Sequence, residues 1–260
     1  MGQRTSYTPG TFSWTDLTTT DQAGAKAFYG ELFGWEAEDH PIADGVHYSM
    51  MKLGGQTVAA ISPQNEHQRA AKAPPSWNSY VTVQSADDAA ARAEELGATI
   101  HAPAFDVFDA GRMAAIRDPQ GAYFLVWEPR RNPGASLVNA PGALSWNELA
   151  STDMDASAAF YGQLFGWTIE PFADSPAPYM TIRNSEGHGN GGIRPVMPPG
   201  TMPHWLVYFG VEEVDAAVAT VERLGGGRVS ETMSIGPGEV AIVTDPQGAA
   251  LALYAGHFDE

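Results

Sequence analysis

Residues 144–167 read LSWNELASTDMDASAAFYGQLFGW, and residues 12–35 read FSWTDLTTTDQAGAKAFYGELFGW. When the two stretches are aligned, 13 of the 24 positions are identical, and every matched pair lies 132 positions apart. A period of about 130 residues is long enough for each copy to form a domain. We therefore predict two tandem domains over residues 12–129 and 143–260, with a lead-in over residues 1–11 and a linker over residues 130–142.

Each copy predicts the same order of elements. First comes a strand in which polar and apolar side chains alternate. An aspartate follows it, Asp21 in the first copy, which is a typical helix N-cap, and Gly34 ends that helix. Short strands follow, and a second unit of strand, helix and strands closes on an Asp-Pro-Gln-Gly turn at residues 118–121 and 245–248. Each domain is therefore expected to be two βαβββ units in an α+β fold. The polar, proline-flanked segment over residues 62–75 is interpreted as an exposed connection.

The composition limits the partners that this protein can have. Hydrophobic residues make up 43% of its 260 residues, so the chain can bury a core, and its net charge is −17. Nucleic acid and anionic membranes require a basic surface, so neither is an expected partner. The absence of cysteine excludes disulfides and thiolate metal sites. Because no apolar run approaches the length of a membrane span, we expect a cytoplasmic monomer or homodimer whose partner is a small-molecule ligand.

The paired βαβββ units, the strand followed by Asp, the FYxxLFGW helix end and the closing DPxG turn together resemble the vicinal oxygen chelate (VOC) superfamily. This superfamily contains glyoxalase I, bleomycin-resistance proteins, fosfomycin-resistance enzymes and extradiol dioxygenases. The detailed pattern is most similar to tandem two-domain actinobacterial proteins labelled glyoxalase-like or "hydroxylase". The resemblance covers nearly the whole chain and implies a curved, mostly antiparallel sheet cradle in each domain. It does not fix the reaction, because the superfamily hosts many chemistries and some pure binders.

The resemblance also implies where a metal would bind. Metal-using members carry His, Gln or Glu on the first, fourth, fifth and last strands of the cradle, and such ligands suit a divalent metal. Here the matching positions hold Trp14 and Trp146, Ala60 and Gly192, Asn78 and Leu206, and Leu125 and Ala252. None of these residues is a good ligand, so we expect neither a family-type metal nor another cofactor. A divalent metal remains an alternative that would need unconventional ligands such as Asp16, Glu148 and His204.

Side chains two positions apart on a strand share a face, so an inward Trp14 brings Asp16 inward, and an inward Trp146 does the same for Glu148. The other inward side chains expected on the fifth and last strands are Asn78, Tyr80, Leu125 and Trp127 in the first domain, and Leu206, Tyr208, Ala252 and Tyr254 in the second. Such aromatic cradles suit a hydrophobic small molecule. Burial against aromatic rings raises a carboxyl pKa, so Asp16 and Glu148 are the candidate acid or base residues, with His204 as a proton relay.

Several of these residues also have purely structural interpretations. Trp14 and Trp146 are equally typical of an ordinary core, and His204 of an exposed histidine after a turn. Asp16 and Glu148 would face water if the strand faces were inverted.

Two further features leave alternatives open. Arg112 is a candidate to bind a ligand carboxylate or phosphate, or else forms a structural ion pair with Asp109. The loop over residues 197–202 is either a lid or an ordinary connection, and Tyr48 and Tyr179 are placed near the cradle mouths.

Four functions are compatible with these patterns. The first is a metal-independent protein that binds a hydrophobic or aromatic metabolite and, if an enzyme, transforms it by lyase or hydroxylase-like chemistry. The second is a drug-sequestering protein of the bleomycin-resistance kind, favoured by the net charge of −17, which would attract cationic drugs. The third is a metal-dependent lyase or dioxygenase of the glyoxalase type. An interaction protein with decayed sites is a fourth alternative.

Overall fold

The chain folds into two large sheets, one from each repeat. The computed structural model describes residues 2–173, 175 and 177–258. The first repeat and its flanks contain, in chain order, β1 (Gly2–Gln3), β2 (Phe12–Thr19), α1 (Gln22–Phe33), β3 (Glu36–Ala43), β4 (Val46–Leu53), β5 (Gln56–Pro63), α2 (Glu66–Ala70), β6 (Ser76–Thr82), α3 (Ala86–Glu95), β7 (Thr99–Val107), β8 (Gly111–Arg117), β9 (Tyr123–Pro129) and β10 (Leu137–Val138).

The second repeat contains β11 (Leu144–Ser151), α4 (Met154–Phe165), β12 (Thr168–Pro171), β13 (Met180–Arg183), β14 (Gly189–Pro195), β15 (His204–Gly210), α5 (Val214–Arg223), β16 (Gly227–Arg228), β17 (Met233–Ser234), β18 (Gly238–Thr244) and β19 (Ala250–Gly256). Within the described residues, none of the helices has the length and apolar character needed to cross a membrane.

In each repeat the two βαβββ units join into one curved sheet. The strand order is β3-β4-β5-β2-β6-β9-β8-β7 in the first repeat and β12-β13-β14-β11-β15-β19-β18-β16 in the second, where β17 also pairs with β18. The central pairs β2–β6 and β11–β15 are antiparallel, whereas β2–β5 and β6–β9 are parallel. The predicted α+β fold with sheet cradles is therefore confirmed. Each cradle is built inside one repeat and not between the two.

The repeated helix begins and ends as its sequence predicts. The Asp21 side chain accepts a hydrogen bond from the Gly24 backbone N–H, and Asp153 caps α4 in the same way. Gly34 ends α1 at φ 73°, a left-handed conformation that favours glycine. The helix face that carries Phe28 and Tyr29 is fully buried.

The two repeats interlock through buried aromatic side chains. Phe209 of β15 lies among Phe33, Trp35 and Trp77 of the first repeat, with ring centroids 4.9–5.4 Å apart. Phe12 of the first repeat packs in turn against Trp167 and Trp205 of the second, at 5.4 and 5.0 Å. Each repeat therefore completes the core of the other.

Several connecting segments carry structure that the sequence pattern did not predict. The lead-in is not simply a polar extension, because β1 pairs with β10 of the linker through Gly2 and Val138. The connection over residues 62–75 contains α2, which begins with a capping box formed by Asn65 and Gln68.

Candidate functional site

The concave face of the first sheet gathers the aromatic side chains predicted for the cradle. Trp14 lies opposite Tyr80, Asp16 lies opposite both Asn78 and Ala60, and Tyr80 lies beside Leu125. Cross-strand neighbours share a face, so the strand alternation that the sequence predicted holds for this set. The Trp127 ring lies over Gly111, where a Cβ would collide with it.

Asp16 is the centre of a buried hydrogen-bond network on this face. Its Oδ1 accepts from the Asn78 amide at 2.7 Å, and its Oδ2 accepts from the hydroxyls of Tyr80 at 2.7 Å and Tyr48 at 3.0 Å. The Tyr48 oxygen in turn accepts from the Trp14 indole N–H at 3.0 Å. All the donors to Asp16 are neutral, and the side chain is only 5% exposed. This is a carboxyl group fully satisfied without a cation.

Burial decides the protonation of this network. Desolvation raises the pKa of the Asp16 carboxyl, and the hydrogen bonds from Asn78, Tyr80 and Tyr48 oppose that rise without cancelling it. Burial, and then the nearby Asp16 charge, raise the pKa of both tyrosines well above the ordinary range. Tyr48 and Tyr80 therefore remain neutral donors, and Asp16, whose pKa is raised by burial, is the group of this cradle placed to exchange a proton.

The second cradle has the same plan but a different charge balance. Glu148 occupies the position of Asp16, and Arg194 of β14 forms an ion pair with it through Nε. The matching position in the first repeat is Ser62, which carries no charge. The Trp146 indole donates to the Tyr179 hydroxyl at 3.0 Å, as Trp14 does to Tyr48. The carboxylate of the second cradle is therefore already neutralised by the protein itself.

Tyrosines also surround Glu148. Burial, and then the charge of Glu148, raise the pKa of Tyr179 and Tyr208, so both hydroxyls stay protonated. The Tyr179 ring lies directly over Gly192, where a Cβ would collide with it. An open depression of about 690 Å³ adjoins Tyr179 between the start of α4, Phe172 and Pro195. Space for a small molecule thus lies at the edge of this cradle.

The remaining predicted ligand-binding residues of the second cradle also lie together. Leu206 is opposite Glu148, Tyr208 is opposite Trp146, and Tyr254 lies one strand further on. Leu206 takes the place of Asn78, so the amide donor of the first cradle has no counterpart here. Apart from its ion pair, the second cradle is therefore lined by more apolar side chains than the first.

His204 lies on the same face of β15 as Leu206, two positions from it, whereas Arg112 lies on the outer face of the first sheet. His204 begins β15 opposite Ala150. Its Nδ1 is 2.9 Å from the carbonyl oxygen of Met202, which ends the loop over residues 197–202. Arg112 lies on the opposite face from Trp127 and pairs with Asp87 and Asp106.

The interpretation of Arg112 needs correction in both of its forms. Its guanidinium is occupied by two carboxylates on the outer face of the sheet, so it is not placed to bind a ligand in the cradle. Asp109, its expected partner, pairs instead with Arg131 at 2.7 Å. The side chains of one strand alternate between faces, and an even-numbered position on β8 faces α3.

Sequence reasoning missed the importance of Arg194 and assigned Tyr48 and Tyr179 only to the mouths. Arg194 lies two positions beyond Gly192 on the strand next to Glu148, so alternation places it on the cradle face. Tyr48 lies on β4, which does not pair with β2, and Tyr179 directly precedes β13, which does not pair with β11. Their reach depends on sheet curvature, which the sequence pattern does not express.

The side chains at the family's metal-ligand positions do not suit a divalent metal. The matching positions on the floor hold side chains such as Trp14, Ala60 and Leu125, and the one carboxylate nearby is enclosed by neutral donors. Among the residues that the structure describes, no three His, Cys, Asp or Glu side chains come together in a way that could hold a metal ion. No step of the chemistry below is therefore assigned to a metal.

The fold and this site define a tandem α+β protein with one buried carboxyl group in each aromatic cradle. The model of the Glyoxalase/Bleomycin resistance protein/Dioxygenase superfamily matches residues 11–126 and again residues 143–253. The chain therefore belongs to this superfamily, as the sequence motifs predicted.

Relatives and solved structures agree with this assignment. The chain is 39% identical over 256 residues to "Putative glyoxylase CFP32" of Mycobacterium tuberculosis, covering 97% of each chain. It is 32% identical over 267 residues to "Anthracycline biosynthesis protein DauV" of Streptomyces sp. (strain C5), covering 96% of this chain and 94% of the relative.

Two solved structures share the fold. The Mn(II)-bound glyoxalase from Novosphingobium aromaticivorans has a TM-score of 0.65 at 15% identity, with 100% of this chain and 86% of that chain covered. The 2,3-dioxygenase LapB from Pseudomonas sp. KL28 has a TM-score of 0.64 at 14% identity, with 97% and 94% covered. At these identities the likeness concerns the fold alone.

Proposed function

We propose that this protein binds a small aromatic metabolite in the cradle of the first repeat, with Asp16 as the proton donor or acceptor toward it and without a family-type metal. The observation that carries the proposal is the environment of Asp16. A carboxyl group with a raised pKa, neutral hydrogen-bond donors and aromatic neighbours is suited to proton exchange with a bound ligand. Glu148 differs from Asp16 in that Arg194 forms an ion pair with it.

The chemistry proposed for Asp16 is general acid or base catalysis. Asn78 and the two tyrosines hold the carboxyl group in one position, which is the preorganisation that proton transfer to a bound ligand needs. Trp14 and Trp127 lie on the same face of the sheet, and their buried rings give the surroundings of Asp16 the aromatic character that suits an aromatic ligand. The name of the Streptomyces relative, which refers to anthracycline biosynthesis, supports a polycyclic ligand for this chain as well.

The proposal is tested by comparing D16N with E148Q. Asparagine keeps the shape of Asp16 but cannot titrate, so we expect D16N to lower the affinity for an aromatic ligand about tenfold or to abolish its turnover. E148Q should leave both unchanged. Binding is followed by quenching of tryptophan fluorescence with a panel of naphthalene and anthraquinone derivatives, and turnover by mass spectrometry of the ligand. Loss of binding in E148Q with a normal D16N would refute the assignment to the first repeat.

The absence of a metal from the proposed chemistry needs a separate measurement. We expect elemental analysis of the protein, purified without chelator, to find far less than one Mn, Fe, Ni or Zn per chain, and calorimetric addition of these ions to give no binding. About one tightly held ion per chain would instead favour a glyoxalase-type lyase or dioxygenase.

A second candidate function is sequestration of a cationic aromatic drug. The net charge of −17 favours it, because the field of an acidic protein attracts cations over long distances. A stoichiometric complex with a cationic anthracycline, formed without any chemical change and weakened strongly by salt, would support this function over the first.

A further inference from the structure

We infer that Arg117 is the anion-binding group of the first cradle, so that the aromatic ligand carries a carboxylate; this inference rests on the function proposed above. Arg117 ends β8 and lies opposite Tyr123 on the cradle face of the sheet. Its guanidinium carbon is 5.7 Å from the centroid of the Tyr123 ring. The His101 ring meets the same tyrosine edge-on, at a centroid distance of 5.2 Å.

The terminal nitrogens of Arg117 are available to a ligand. Nε donates to the Gly121 carbonyl at 3.3 Å, and among the described residues neither terminal nitrogen has a hydrogen-bond partner. Within the part of the chain that the structure describes, no carboxylate pairs with Arg117, although this protein has 31 acidic residues for 14 basic ones. An arginine left without a carboxylate in so acidic a chain has a fork of donors that matches a ligand carboxylate.

The register connects Arg117 to Asp16. Asn78 lies opposite Asp16, and Tyr80, two residues further along β6, lies beside Leu125 on β9. Tyr123 precedes Leu125 by two positions, so it shares the cradle face, and Arg117 is its partner on β8. The path from β2 to β8 crosses three strand spacings, or about 14 Å along the sheet, and less across its curve. A polycyclic ligand with a carboxylate is shorter than this distance, and the long side chain of Arg117 covers the remainder.

The second repeat provides an internal comparison that separates folding from binding. The residue that precedes its Asp-Pro-Gln-Gly turn is Thr244, and Ala250 stands in the place of Tyr123. That turn still forms, because Asp245 accepts from the backbone N–H groups of Gln247 and Ala249 as Asp118 does from those of its own turn. The turn therefore does not need an arginine. Arg117 therefore lies in the first repeat, where the buried carboxyl group of Asp16 has no cation paired with it.

The test compares R117T, which introduces the residue of the second repeat, with R183T as its matched control. Arg183 is exposed whereas Arg117 is half-buried, but Arg183 also donates to a turn carbonyl, and its replacement changes the net charge by the same amount. The probes are anthraquinone-2-carboxylic acid and naphthalene-2-carboxylic acid, each against its neutral carboxamide, measured by calorimetry. We expect the wild-type protein and R183T to bind the acids at least tenfold more tightly than the amides, and R117T to bind both within a factor of two.

The possible outcomes separate this inference from the proposed function. Equal binding of acids and amides by the wild-type protein would overturn the inference and leave the aromatic cradle in place. Failure of every probe to bind would overturn both. An equal loss of the preference for acids in R117T and R183T would mean that net charge alone causes the preference, and it would also overturn the inference. If R117T unfolds, R117K serves instead, because it keeps the charge but loses the fork, and a loss of the acid preference is again expected.

Discussion

Asp16 and Glu148 occupy matching positions, yet a single neighbouring residue gives them different chemistry. Arg194 lies beside Glu148 and forms an ion pair with it, whereas Ser62 stands in the corresponding place of the first cradle. Burial disfavours the charged form of a carboxyl group that has no cation beside it, so the pKa rises and the protonated form is favoured. The difference between the two cradles is thus electrostatic rather than steric, and it predicts different responses to pH and to substitution.

The raised pKa of Asp16 predicts how stability depends on pH. The unfolded chain ionises Asp16 near the ordinary value of 3.8, while the folded protein holds the proton to higher pH. The free energy of unfolding therefore falls as pH rises from about 4 toward the folded pKa. Asparagine does not titrate, so we expect D16N to gain stability relative to the wild-type protein across this range.

Urea unfolding at several pH values between about 4 and 8 measures this effect. D44N is the control, because Asp44 is exposed in the turn between β3 and β4, and it should follow the wild-type curve. If D16N and the wild-type protein gave parallel curves, Asp16 would have to be ionised in the folded state throughout the range.

The ion pair of the second cradle makes a separate prediction. Glu148 has a side chain only 7% exposed, and Arg194 is 20% exposed. Removing one partner of a buried pair leaves an uncompensated charge, so R194A should cost about 3 kcal/mol of stability. R183A removes an exposed arginine from the neighbouring strand and should cost less than about 0.5 kcal/mol. Equal losses in the two variants, measured by urea unfolding, would contradict a buried pair.

At the scale of single residues, the sequence predicted the sheet face on which a side chain lies better than it predicted the residues that the side chain contacts. Alternation along β2 correctly places Trp14 and Asp16 on one face, because side-chain direction in a strand is a local property. The bond from Tyr48 to Asp16 joins strands that are not neighbours in the sheet, and it depends on curvature. The wrong partner for Arg112 has the same origin, since Asp87 is distant in sequence and reaches it only when α3 packs on the sheet.

At the scale of elements, the two long helices are fixed to the opposite repeat by matched contacts. The Tyr29 hydroxyl of α1 donates to Asp245 at 3.1 Å, and the Tyr161 hydroxyl of α4 donates to Asp118 at 2.9 Å. Both aspartates belong to the Asp-Pro-Gln-Gly turns. These turns were predicted as structural features of single repeats, and the structure adds that each one holds the helix of the other repeat.

The helix contacts predict a stability loss without a change of fold. In Y161F, Asp118 loses its tyrosine donor and the Trp205 indole N–H loses its acceptor, both at buried positions. Unsatisfied buried polar groups are costly, so we expect a loss of about 2 kcal/mol in urea unfolding. Y123F removes an exposed hydroxyl and should change stability by less than about 0.5 kcal/mol. A neutral Y161F would mean that water replaces the hydroxyl.

Elements with local signals could be predicted from the sequence, and those that depend on distant partners could not. The capping aspartates and terminal glycines of α1 and α4 are read within one turn of helix. β1 exists only because it pairs with β10, about 135 residues later, and neither segment has a strand pattern of its own. Short strands of this kind are set by tertiary contacts.

At the scale of the whole molecule, the sequence repeat does not make two independent bodies. Trp35 donates its indole N–H to the Gly142 carbonyl at 2.7 Å, and Trp167 donates to the Gly10 carbonyl at 2.6 Å. Together with the Phe209 and Phe12 contacts, these bonds cross between the repeats in both directions. A repeat separated from its partner would expose this aromatic surface to water.

We therefore expect that residues 1–139 and residues 140–260, produced separately, will each fail to unfold cooperatively. Exposed aromatic side chains of this size each forfeit about 2 kcal/mol of burial, and a domain has only about 5–15 kcal/mol of stability in total. Circular dichroism melting and analytical ultracentrifugation measure the outcome, with the two halves produced together as the control. The control should assemble and melt like the intact chain, because the cut leaves every contact across the repeats in place. A half that melts sharply at the midpoint of the intact protein would show instead that each cradle is stable alone, and the interlocked aromatic core would then serve only to orient one cradle against the other.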